Sequence, residues 1–206
     1  MTGERTDIAL RAPATDLTTF PSCEVAGHWH RAHTATREPW WFSHDGSGRF
    51  DLSTPAGTCY LAADVQSAVL ERLGPTLAAA AMISGTQADA MVVSTLTLGP
   101  TRAADGTDTR AATAFGITRE IGTVTPYGRA QEWSHALHRA GFEALRYWPR
   151  FSLGADQTAL ALFGAAGADD TRPLDAAPMT GRSAARRAGI DVLDPPRSVT
   201  TVTPGR

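Results

Sequence analysis

Gly57-Thr-Cys-Tyr-Leu-Ala-Ala-Asp-Val-Gln-Ser-Ala-Val-Leu-Glu-Arg-Leu-Gly-Pro75 contains the change of periodicity that decides the fold class. Residues 57–62 read as a short strand. From Asp64 the pattern turns helical: Val65, Ala68, Val69 and Leu73 recur at the spacing of one helix face, and Asp64 is suited to cap it. Gly74-Pro75 is expected to stop the helix. Glu71 lies three residues after Ala68, on the flank of the apolar face.

The same alternation continues on both sides. Met91 to Leu98 alternates and is rich in β-branched residues, so it reads as a strand, whereas residues 76–90 are Ala-rich and ambiguous. Residues 99–112 read as a polar loop. Tyr127 to Ala140 reads as a helix, with Ala130, Trp133, Leu137 and Ala140 on one stripe and Gly141 at its end. Residues 142–147 and 158–163 read as two strands. Upstream, residues 44–53 form a turn-rich loop with Gly46, Gly48, Asp45 and Asp51. Before it, Gly27 to Phe42 holds Trp29, Trp40, Trp41 and Phe42, either a packed core edge or an aromatic wall for a flat ring. Interleaved helices and short strands give an α+β domain. The expected organisation is a polar arm over 1–22, a domain over 23–164 and a peripheral tail over 165–206.

Composition narrows the function. The chain has 206 residues, enough for one domain, and 42% hydrophobic residues, enough for a core. A net charge of −2 with mixed signs lacks the basic stripe of a nucleic-acid binder, so no direct nucleic-acid contact is expected. It is compatible with an anionic ligand held by a few arginines. Cys23 and Cys59 have no metal-like spacing and suggest a reducing compartment. His28, His30 and His33 cluster without completing a ligand set, so no metal is expected. No run approaches the ~18 apolar residues of a membrane span, and the expected location is cytoplasmic. Phosphate-loop, GxSxG and HExxH motifs are all missing.

What remains is a set of spaced polar residues. Arg31 stands in Trp-His-Arg-Ala-His and Arg49 in Gly-Ser-Gly-Arg-Phe-Asp. Tyr60 stands in Cys-Tyr-Leu-Ala and Glu71 in Val-Leu-Glu-Arg-Leu. Tyr60 follows Arg49 at the same interval that separates Glu71 from Tyr60.

This ordered set resembles the RES domain family. Arg31 through Gly74 carries most of the resemblance, with Pro39-Trp-Trp-Phe42, Gly48-Arg-Phe-Asp51 and Tyr60-Leu-Ala62. A second block runs from Gln131-Glu-Trp133 through Gly141-Phe-Glu-Ala-Leu-Arg-Tyr147 and Pro149-Arg150 to Phe163. The resemblance implies an ADP-ribosyltransferase-like split β-sheet core with peripheral helices. It also implies cleavage of the nicotinamide–ribose bond of NAD, with water or inorganic phosphate as acceptor. An Xre-type, helix-turn-helix antitoxin is the implied partner. On this reading Glu71, Arg31 and Tyr60 are catalytic, and Arg31, Arg49, Tyr60 and Arg150 bind NAD. Transfer of ADP-ribose to a macromolecule, or an inactive module that binds a partner protein, are the alternatives.

The chain departs from the family at its serine. Aligned without a gap, Pro149 stands before Arg150, and proline offers neither a hydroxyl nor a backbone N–H. Ser152 could substitute only through a remodelled loop.

Overall fold

A computed structural model describes residues 10–151, 154, 157–172 and 176–194. In chain order the strands and helices are β1 (Ser22–Thr34), β2 (Trp41–Phe42), β3 (Ala56–Ala62), α1 (Val65–Leu77), β4 (Met82–Ser84), α2 (Gly85–Asp89), β5 (Met91–Asp105), α3 (Thr109–Phe115), α4 (Gly128–Arg139), β6 (Ala144–Tyr147), β7 (Ala159–Ala165), β8 (Gly167–Ala168), β9 (Met179–Thr180), α5 (Gly181–Arg187) and β10 (Asp191–Leu193). A 3-10 turn, Arg119–Gly122, precedes α4.

One sheet runs in the order β1-β3-β7-β6-β5-β9, and a further β1–β5 pairing closes five of these strands into a ring. The closure depends on length: β1 and β5 pair antiparallel from Ser22↔Ala104 to Thr34↔Met91. Their register shifts between Val25 and Gly27, opposite Gly99-Pro100, where a proline without an N–H is tolerated. The strand period of two then sorts side chains. Cys59, Leu61, Leu160 and Leu162 point inward with Val25, Trp29, Leu96 and Leu98 to form a core drawn from strands and the 40–42 segment. Tyr60, Ala159, Ala161 and Phe163 point outward, where Ala130, Trp133 and Leu137 of α4 cover them. A third cluster joins Val65, Val69 and Leu73 of α1 to Met91 and Val93 of β5 and to Ala184 and Ala185 of α5. This is an α+β fold with a sheet core and peripheral helices.

Several expectations are corrected. α1 does not stop at Gly74-Pro75 but runs through Pro75 to Leu77, with Asp64 capping Ser67 N at 2.8 Å. Residues 99–105 continue β5, because pairing with β1 and β6 outweighs their weak apolar pattern. The aromatic segment opens with the long strand β1, and Trp29, Trp40 and Phe42 are core. Residues 10–22 are not a loose arm: Leu10, Leu17 and Phe20 are buried in the outer core.

Nor are residues 165–172 and 176–194 a peripheral tail. β8 pairs with β2, β9 with β5 and β10 with β4, and α5 buries two alanines whose small size concealed their role. Among the described residues no helix is long and apolar enough to cross a membrane, and no group of three His, Cys, Asp or Glu side chains could hold a metal. His30 and His28 instead bond across the sheet to Thr95 and Thr97, and His33 to Ser94.

Candidate active site

The residues brought together by the fold centre on Glu71. From α1 it accepts a hydrogen bond from the backbone N–H of Phe151 at 2.8 Å. That approach depends on Gly74, one turn along the helix: a β-carbon there would lie 2.2 Å from the Phe151 ring. Burial raises the Glu71 pKa above the ordinary glutamate range. The Phe151 N–H, the Arg49 charge, and the N–H and charge of Arg150 oppose this without cancelling it. Among the described residues Glu71 makes no ion pair within 4 Å, so it is a half-buried carboxylate near two guanidiniums and bonded to neither.

Arg49 comes from the turn before β3. Its guanidinium donates to the Val124 carbonyl at 2.5 Å and lies over the Tyr127 ring, 4.7 Å from its centroid. The turn itself is built around Asp51, which is 2% exposed. Asp51 accepts from Ser43 Oγ at 2.9 Å, Gly48 N at 2.9 Å and the Tyr60 hydroxyl at 2.8 Å. Tyr60 in turn accepts from Phe50 N at 2.8 Å. Burial, and then the negative Asp51, push the Tyr60 pKa well up, so the hydroxyl stays a donor.

No side chain other than glycine fits at position 48. A β-carbon would lie 2.3 Å from Asp51 Oδ1 and 2.4 Å from the Tyr60 hydroxyl. Gly48→Ala is therefore expected to destabilise the protein by about 2 kcal/mol in urea unfolding. An unchanged midpoint would mean that the network rearranges without strain.

Tyr147, at the end of β6, completes the group. Its ring meets Phe50 edge-on at 4.6 Å. Burial raises its pKa, the Glu71 charge adds to the effect, and Arg49 opposes it. Arg150 is exposed, with its guanidinium 5.4 Å from the Phe151 ring centroid.

The fold thus gathers Arg49, Glu71 and Arg150, with Tyr60 fixing the turn beside them, and treats Arg31 differently. Arg31 is 9% exposed, and one terminal nitrogen donates to Pro39 O at 2.8 Å, Trp41 O at 2.6 Å and Cys59 Sγ at 2.8 Å. Cys59 and Tyr60 are neighbours in a strand, so their side chains face opposite ways. Arg31 therefore faces the inside of the ring, behind the strand that carries Tyr60. The buried Cys59 thiol is pushed up by burial, with Arg31 opposing.

Sequence reasoning missed Asp51, Tyr127 and Tyr147 as members of the site. Asp51 was visible in Gly-Arg-Phe-Asp, where a carboxylate three residues after a glycine can cap a turn. Tyr127 and Tyr147 carried no local signal, since an aromatic at an element's end is ordinarily core. Pro149 is buried, and the segment that follows it presents backbone N–H groups to Glu71. Ser152 lies outside the described residues.

A crystal structure of the M. tuberculosis MbcT–MbcA toxin–antitoxin complex aligns with a TM-score of 0.61 at 17% identity, over 82% of this chain and 92% of that one. At that identity the likeness is one of fold. A search of curated proteins returned no match. The family model of the RES domain matches residues 28–182, three quarters of the chain, and the chain belongs to the RES domain family.

Proposed function

We propose that this protein consumes NAD, breaking the bond between nicotinamide and ribose and passing the ADP-ribosyl group to water or inorganic phosphate. The observation that carries this reading is Glu71, a half-buried carboxylate with a raised pKa set near two arginines that do not neutralise it by direct contact.

Heterolysis of an N-glycosidic bond builds positive charge on the ribose. The nicotinamide nitrogen takes the bonding electron pair and leaves as a neutral base, so no strong acid is needed. Glu71, when ionised, stabilises the developing cation in surroundings of low polarity, where a charge acts more strongly than in water. Arg49 and Arg150 supply planar, permanently charged donors for the diphosphate. Tyr60 contributes as a fastener for the Arg49 turn, its hydroxyl being already committed to Asp51 and Phe50 N. Arg31 supports the site from behind the sheet and holds no ligand group.

Membership of the RES domain family, and the fold shared with a protein solved in a toxin–antitoxin complex, support a toxin held by an antitoxin partner. Pro149 favours a second reading, an inactive module that binds a partner protein, because proline cannot make the contacts of the family's serine.

Purified protein incubated with NAD, with and without phosphate, separates these. The expected result is nicotinamide release with ADP-ribose in water and its 1-phosphate in phosphate buffer. Release only on adding a protein acceptor would identify a transferase. Absence of both turnover and NAD binding by calorimetry would overturn the enzyme reading.

A further inference from the structure

The turn that presents Arg49 is fastened from both sides. Asp51 and Tyr60 hold its inner side. On its outer side Gln131 reaches across from α4: its Nε2 donates to Gly46 O at 3.0 Å and to Gly48 O at 2.9 Å. A primary amide has two N–H donors, and these two carbonyls use both. Gly46 adopts a positive φ of 77°, which directs the turn back toward β3.

The side chain of Arg49 rests on the same region. Val124 O accepts its hydrogen bond and the Tyr127 ring lies beneath it, just ahead of the first turn of α4. One short stretch, residues 124–131, therefore supports both the backbone and the guanidinium of Arg49. Gln131 also lines a groove of about 510 Å³ with Pro13, Gly128, Glu132, His135 and Arg139, so water would replace a lost amide.

We infer that Gln131 is a positioning residue for NAD: it sets the place of Arg49 and through it the affinity for the diphosphate. The inference rests on the proposed function. It differs from a structural role because the bonds of Gln131 go to two carbonyls of a surface turn and to no core residue. Arg49 would grip the diphosphate alike in the ground and transition states. Loosening it should raise KM and leave kcat alone.

The test uses the full chain and Gln131→Met, which keeps length and removes both donors. The expected KM and calorimetric Kd for NAD rise about tenfold, with kcat within about twofold. Hydrogen exchange should quicken over residues 46–50, with the rest of the molecule unchanged. In an Arg49→Ala background, Gln131→Met should add no further rise in KM or Kd. Unchanged exchange at 46–50, unchanged NAD affinity, or an equal further loss in the Arg49→Ala background would each overturn the inference. A wild type that binds and consumes no NAD is a different failure, seen before any variant is made: it removes the proposed function and this inference with it.

Discussion

Glu71→Gln is expected to slow nicotinamide release from NAD about 10²–10³-fold while leaving thermal stability at neutral pH unchanged or slightly raised. The two halves of that expectation have one origin. Burial raises the Glu71 pKa, so folding disfavours the ionised form. The stability this carboxyl contributes is full below the ordinary glutamate pKa and is lost as pH rises through its raised value. Wherever it is ionised, it is ionised at a cost. Glutamine keeps an oxygen that accepts the Phe151 N–H and removes the charge, so the fold does not suffer. The reaction does, because the charge that stabilises the ribosyl cation has gone.

The pH profile gives the same argument a second measurement. If the ionised carboxylate works, activity in the wild type falls on the acid side with an apparent pKa above the ordinary glutamate range, and the residual activity of Glu71→Gln lacks that limb. A variant with wild-type turnover would remove Glu71 from the chemistry. A large drop in melting temperature would assign it to the structure.

Arg31→Ala is expected to destabilise the protein by about 3 kcal/mol and lower its melting temperature by about 6–12 °C. The guanidinium is buried and serves three acceptors, Pro39 O, Trp41 O and Cys59 Sγ. Truncation leaves two backbone carbonyls without a donor in a site lined by Trp40 and Phe42, and an unpaired buried carbonyl costs about 1–3 kcal/mol. The Pro39–Trp41 segment would lose its tie to β1 and β3. Measured below its own melting transition, the variant should keep the KM for NAD. A stable protein with a sharply raised KM would show the opposite, that Arg31 reaches the ligand.

Much of the fold was legible because it depended on local pattern. α1, α4, β3, β7 and the first part of β5 follow from apolar spacing that the tertiary structure had only to accept. The regions misread share one cause: partners distant in the chain hold them. Gly99-Pro100 opens the stretch that reads as a polar loop, yet the two residues sit at the register shift of a strand paired with β1. The alanines of α5 and the short β8, β9 and β10 have no pattern strong enough to announce burial. They are core or sheet only through their pairing and packing with β5, β2 and β4. A helix running through Pro75 is likewise carried by what it packs against.

The amino-acid sequence by itself determined the family, the α+β class and the residue types of the site: an acid on the flank of a helix, an arginine after a glycine turn, a tyrosine between them. Their order along the chain was enough, because a family pattern is carried by residue type and interval. Only the tertiary structure decided what each residue touches. Strand alternation turned Tyr60 toward Asp51 and its neighbour Cys59 toward Arg31, and so put two arginines that look equivalent in sequence on opposite sides of β3. Likewise, packing at Gly74 brought the Phe151 N–H onto Glu71 across eighty residues. Interval along a chain fixes neither the face a side chain takes nor the partner it meets. Those follow from strand pairing and from close approach between elements.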